Sequence, residues 1–145
     1  MRMDIETLYR QKFYITGRDF ANAGNVSVQI KKILKEIGVK PDVVYRVSIC
    51  CYEAEMNVVM YAYKAELDFQ ITDRAVCIVV DDEGPGIENI ELAMTEGYST
   101  ATSEIREMGF GAGLGLPNIK KNSDEFYIES EVLKGTKLNI TIYLN

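Results

Sequence analysis

The stretch PDVVYRVSICCYEAEMNVVMYAYKA, residues 41–65, decides how the chain is read. Pro41 suits the first position of a helix, where its missing N–H costs nothing. Behind it Val44, Val47, Cys51, Ala54, Val58 and Tyr61 recur at intervals of three and four, which predicts one helix over 41–65. Glu53 and Asn57 stand four apart, so both side chains project from one face, about one turn from each other. A carboxylate there can orient or deprotonate a nucleophile while the amide oxygen coordinates a hard cation such as Mg²⁺. Alone, such a pair more often marks a solvated helix face. Here Met56, Val58, Val59 and Met60 make the surroundings unusually apolar.

Towards the N-terminus, Phe13, Ile15 and, after Gly17, Phe20 predict a first strand over 13–20. From Asn25, the residues Val26, Ile30, Ile33, Leu34 and Ile37 repeat with helical spacing, and Gly38 supplies the stop. Towards the C-terminus, Leu67, Phe69 and Ile71 alternate, Asp73-Arg74 turns, and residues 75–80 run almost wholly apolar, the pattern of a hairpin with a buried second strand. Regularity is expected to break over 81–87, with a short helix over 90–96 and a mobile polar loop over 97–109 lying across a site. A glycine run then opens a helix ending near Asn122. Strands over 126–132 and 137–144 close a last hairpin across Lys134-Gly135.

With 145 residues, 47% of them apolar, the chain has the size of one compact domain and is read as a single unit over 1–145. Its apolar runs are strand-sized, far short of the roughly 20 residues that cross a bilayer. The N-terminus lacks the basic patch and apolar stretch of a signal peptide, so a cytoplasmic location without membrane attachment is expected. A net charge of −6 argues against nucleic acid as a partner. Of the three cysteines, Cys50 and Cys51 are adjacent and Cys77 is distant, which suits buried thiols rather than a disulfide framework or a metal site. There is no histidine, so the commonest general base and any phosphohistidine chemistry are excluded within the chain.

Two further constellations carry chemistry. Asp82-Glu83-Gly84-Pro85-Gly86-Ile87 directly follows the apolar run, where a carboxylate at a strand end can accept from an exocyclic amine and glycines let a ligand approach the backbone. The same residues also make plain turns. Gly109-Phe110-Gly111-Ala112-Gly113-Leu114-Gly115-Leu116 places alternating glycines at the mouth of a helix, a site for phosphate oxygens or else a lid hinge. It is neither a Walker loop nor the dinucleotide fingerprint.

Jointly, Glu53-x-x-x-Asn57, Asp82-x-Gly84-x-Gly86 and Gly111-x-Gly113-x-Gly115-Leu116 resemble, in order and spacing, the N, G1 and G2 boxes of the GHKL (Bergerat-fold) ATPases. Gly135-Thr136 resembles the threonine that supports the adenine-binding aspartate in that superfamily. Within it, Gly97-Tyr98-Ser99-Thr100, Gly115-Leu116-Pro117-Asn118-Ile119-Lys120 and Asp124-Glu125-Phe126 are most similar to the anti-sigma-factor and switch kinases of the RsbW and RsbT type. Tyr61 stands where many members carry a histidine. The resemblance implies an α/β (α+β) two-layer sandwich, with a mixed, mostly antiparallel sheet covered on one face by helices.

It further implies ATP and Mg²⁺ as cofactors, with Asn57 as metal ligand and Glu53 as catalytic carboxylate. Asp82, with Gly84, Gly86, Ile87 and Thr136 about it, would take the adenine, and Gly111, Gly113, Leu114, Gly115 and Leu116 the phosphates. Glu53, Asn57, Asp82 and the second glycine run are expected to line one pocket. The implied function is an ATP-dependent protein serine/threonine kinase that phosphorylates a STAS-domain partner. The alternative is a nucleotide-gated binding module that sequesters a sigma factor or activates a phosphatase with little turnover. A homodimer is among the assemblies that relatives adopt.

Overall fold

A computed structural model of the chain describes residues 6–96 and 115–145. Strands β1 (Thr7–Thr16), β2 (Lys64–Thr72), β3 (Ala75–Glu83), β4 (Glu125–Glu131) and β5 (Gly135–Tyr143) form one sheet in the order β1-β2-β3-β5-β4. Every neighbouring pair among the described residues is antiparallel, where a mixed, mostly antiparallel sheet was expected. The helices are α1 (Asn25–Ile37), α2 (Pro41–Tyr61), the single turn α3 (Ile90–Ala93) and α4 (Gly115–Asn122). Helix α2 lies across the sheet, with α1 and α4 both packed against it. The result is the α+β two-layer sandwich.

The period-2 alternation of the strands decides which face is covered. Phe13 and Ile15 of β1, Leu67, Phe69 and Ile71 of β2, Val76, Ile78 and Val80 of β3, and Leu138, Ile140 and Ile142 of β5 are all buried in one core. The alternate positions of β1 and β2 include Arg10, Lys12, Glu66 and Asp68, which form ion pairs Arg10–Asp68 and Lys12–Glu66 on the uncovered face. Sandwiched between the sheet, α1 and α4, helix α2 buries most of its circumference, including Val47, Cys50, Cys51, Ala54 and Val58. That position pulls Glu53 and Asn57 partly out of water, so neither belongs to a solvated face.

Several expected bounds shift. The first strand begins six residues before Phe13 and ends at Thr16; Phe20 sits instead in a short 3₁₀ turn, packed on Met56 and Met60. Helix α2 stops at Tyr61 rather than near residue 65, because Ala62 turns extended (φ −97°, ψ 171°) and Ala65 pairs within β2. The carbonyl of Ala62 lies 1.9 Å from where a Cβ on Gly17 would sit, so only glycine lets β1 pass the end of α2. Strand β3 outlasts its apolar run: Asp81, Asp82 and Glu83 pair with Glu66, Ala65 and Lys64 of β2. Helix α3 ends at Ala93, and the last two strands begin at Glu125 and Gly135, one and two residues earlier than expected. Cys50 and Cys51 are buried, whereas Cys77 is only half-buried. Burial pushes the Cys50 thiol up to about 12, which leaves no thiolate at neutral pH.

Candidate functional site

Glu53 and Asn57 face the first residue of α4. A Cβ built on Gly115 would meet Asn57 Oδ1 at 3.1 Å and Glu53 Oε2 at 3.3 Å, so both oxygens converge on one spot. Asn118, one turn further along α4, hydrogen-bonds the Glu53 carboxylate. Leu116 is half-buried beside the core. Gly111, Gly113 and Leu114, expected around the phosphates, lie outside the described residues, as does the loop expected over 97–109.

The second group is built where β3 ends. Asp82 continues the row Val76, Ile78, Val80 and therefore faces the helix-covered side. Its Oδ1 accepts from the backbone N–H of Thr136 at 2.9 Å. Thr136 thus supports the aspartate through its backbone, while its hydroxyl lies 2.9 Å from Ser130 Oγ. Gly84 and Gly86 are closely packed on the side where a Cβ would stand. The space a side chain would take is filled by Ala62 at 3.0 Å for Gly84 and by the Glu131 carbonyl at 2.4 Å for Gly86, whose φ of 75° also favours glycine. Ile87 donates its N–H to Ser130 Oγ at 2.8 Å. Asp82 lines a groove of about 450 Å³ with Ser130, Thr136 and the charged side chains of the β4–β5 hairpin. Glu53 and Asn57 are not among the residues lining that groove.

Residues 18–142 match the model of a protein family described as the histidine kinase-like ATPase domain. The chain belongs to this family. The Serine/threonine-protein kinase RsbT of Bacillus subtilis (strain 168) is 30% identical over 118 residues, covering 79% of this chain and 83% of that protein. The Anti-sigma F factor of Caldanaerobacter subterraneus subsp. tengcongensis is 34% identical over 97 residues, and that match covers 63% of this chain and 64% of the relative, just under two thirds. Among solved structures, a chain in the crystal structure of the SiaB-SiaC complex from Pseudomonas aeruginosa shares the fold, with a TM-score of 0.61 at 14% identity across 94% of this chain and 90% of that one. Membership of an ATPase family implies use of ATP. Among the described residues, no helix is long and apolar enough to cross a membrane.

Two residues of this ATPase domain escape a reading by motif. Glu55 is 2% exposed and accepts from three backbone N–H groups, those of Gly24 (3.0 Å), Val26 (3.2 Å) and Ser27 (2.9 Å). It caps α1 from outside, since the N-cap position is held by Gly24, which has no side chain to do so. A helix start at Asn25 preceded by Gly24 rather than by Ser, Thr or Asp was the available signal. Ser130 is the other, and its place in the core-facing row of β4 with Phe126 and Ile128 was the clue.

Burial raises the carboxyls of both Glu53 and Asp82. At Glu53 the hydrogen bond from Asn118 opposes the shift; at Asp82 the Thr136 N–H opposes it and the charge of Asp81 adds to it. A raised folded-state value means that the group contributes stability below its unfolded pKa and loses it as pH rises through the folded value. The ionised carboxylates therefore cost stability at neutral pH. Asp82→Asn, which keeps an acceptor for Thr136, is expected to resist urea better than wild type at pH 7. That gain should vanish below the ordinary Asp range, and a lower urea midpoint for the variant at pH 7 contradicts the assignment.

Close packing at Gly135 gives a second expectation. A Cβ there would lie 2.0 Å from the Asp82 carbonyl, so Gly135→Ala must push β5 off the end of β3. A loss of about 1–3 kcal/mol in denaturant unfolding is expected, as for other overpacked sites.

Proposed function

We propose that this ATPase domain is a protein serine/threonine kinase of the switch-kinase type, which transfers the γ-phosphoryl group of ATP to a hydroxyl of a STAS-domain partner. The observation that carries the reading is the convergence of Glu53 Oε2 and Asn57 Oδ1 on the start of α4. A module that only bound nucleotide would have no use for a half-buried carboxylate held there at a cost in stability. The relatives named a serine/threonine kinase and an anti-sigma factor support the same reading.

In this mechanism Glu53, oriented by Asn118, accepts the proton of the attacking hydroxyl. Its raised pKa brings it nearer to the pH at which a base both exists and accepts readily. Asp82, at the end of β3, accepts from the exocyclic amine of the base, turned towards it by Thr136. Leu116 and Gly115 stand at the N-terminus of α4, where the helix dipole favours phosphate. The Asn57 amide oxygen suits Mg²⁺, a hard cation that takes few protein ligands beside phosphates and water. When bound, the ion supplies charge neutralisation at the transferring phosphoryl group.

The test is incubation with γ-labelled ATP, Mg²⁺ and purified STAS-domain proteins. Alkali-labile, acid-stable label on a partner serine or threonine is the expected result. Bound ATP with no label on any such partner, but a partner retained only in the presence of nucleotide, would overturn the kinase reading in favour of a gated binder.

A further inference from the structure

We infer that Ser130 is the positioning residue of the base-binding end of the site: its hydroxyl fastens the loop after β3 to the β4–β5 hairpin and so holds Asp82 in its working orientation. The inference rests on the reading of Asp82 as the residue that takes the base. No motif of the sequence includes Ser130.

The hydroxyl has one proton and two lone pairs. It accepts from the Ile87 N–H at 2.8 Å and contacts the Gly135 carbonyl at 3.2 Å and Thr136 Oγ1 at 2.9 Å. The carbonyl can only accept, so the assignment that makes all three bonds sends the Ser130 proton to Gly135 and has Thr136 donate to Ser130. The oxygen is then saturated, and the loop after β3 and the start of β5 meet at one atom of β4.

Those segments are the ones that determine where Asp82 points. Thr136 holds Asp82 Oδ1 through its N–H at 2.9 Å, which turns the other carboxylate oxygen away from that bond. Gly135 packs directly on the Asp82 backbone. Ile87 lies in the loop that leaves β3 just beyond Asp82. Backbone bonds from Gly84 N–H to the Lys134 carbonyl (3.0 Å) and from Leu133 N–H to the Pro85 carbonyl (2.8 Å) tie the near part of the loop to the hairpin. Ser130 ties the loop further on, at Ile87, and in the same step links that point to Thr136.

The hydroxyl is therefore required, while the small side chain is otherwise ordinary. Ser130→Ala removes all three bonds, and Ser130→Thr keeps an oxygen to make them. Two measurements on the full chain decide the matter: amide hydrogen exchange in the nucleotide-free protein, and calorimetric titration with Mg·ATP. Ser130→Ala is expected to speed exchange roughly five- to tenfold at Ile87 and Thr136, the size of a typical net hydrogen bond. Exchange at Val47, in the middle of α2, should stay unchanged. ATP affinity should fall by a similar factor, and Ser130→Thr should restore both.

Unchanged exchange at Ile87 and Thr136 in Ser130→Ala overturns the inference. So does faster exchange spread evenly to Val47, since that marks general loss of stability. If the wild type binds no ATP, the functional reading fails on its own, and exchange at Ile87 and Thr136 still decides whether Ser130 positions Asp82.

Discussion

Glu53→Gln is expected to bind Mg·ATP as the wild type does and to transfer its phosphoryl group about 10²–10⁴ times more slowly, the usual contribution of a positioned general base. The amide is nearly isosteric with the carboxylate and can still face Asn118, so Asn57 and α4 stay in place. Only the acceptor for the hydroxyl proton is lost. Single-turnover transfer to the unphosphorylated partner separates this loss from any change in nucleotide affinity. Glu53 is half-buried with its carboxyl raised, so the variant should also unfold at a higher urea concentration than wild type at pH 7. A variant with slow transfer and impaired folding would show only that α2 was damaged. An unchanged transfer rate would remove Glu53 from the mechanism.

Glu55→Ala is expected to cost about 3–5 kcal/mol of folding stability, since hydrogen bonds to a charged group contribute about 1.5–3 kcal/mol each and do not add in full. The loss has three parts: the hydrogen bonds themselves, the desolvated N–H groups of Gly24, Val26 and Ser27 left without a partner, and the favourable charge at the N-terminus of α1. Against a total of about 5–15 kcal/mol for an ordinary domain, that loss brings the protein close to its unfolding threshold. Glu55→Gln retains one oxygen acceptor but points an NH₂ group at backbone donors, so it should fall between alanine and wild type. Urea unfolding followed by circular dichroism measures both. A loss under about 1 kcal/mol for the alanine variant would mean that water or α1 itself replaces the cap.

Helices and hairpins were legible wherever one buried face repeats in the sequence. Val26, Ile30 and Leu34 of α1, and Leu67, Phe69 and Ile71 of β2, carry their own periodicity, and the structure buries all six. What stayed hidden depends on partners far along the chain. The first half of β1 reads as polar because Arg10 and Lys12 are paired with Asp68 and Glu66 on an uncovered face. Asp82 reads as part of a turn because its strand character comes from pairing with Ala65.

At the site, type, spacing and place in the chain singled out Glu53, Asn57 and Asp82, and the resemblance supplied Thr136. Neither could reveal that Thr136 acts through its N–H or that Gly84 and Gly86 are small to admit Ala62 and Glu131. Glu55 lies two residues from Glu53 and two from Asn57, which on a helix turns it about 200° from each, towards α1. A reading that follows one helix face passes over it. Its partners are some 30 positions away, and no local pattern announces them.

The most direct test of ATP held through Asp82 is calorimetric titration of Mg·ATP into the wild type and into Asp82→Asn, with folding of both confirmed by urea unfolding. Binding by the wild type that disappears in a variant at least as stable as its parent is the predicted result. Equal binding by the two proteins would contradict the placement of the base at Asp82 and, with it, the geometry proposed for the site.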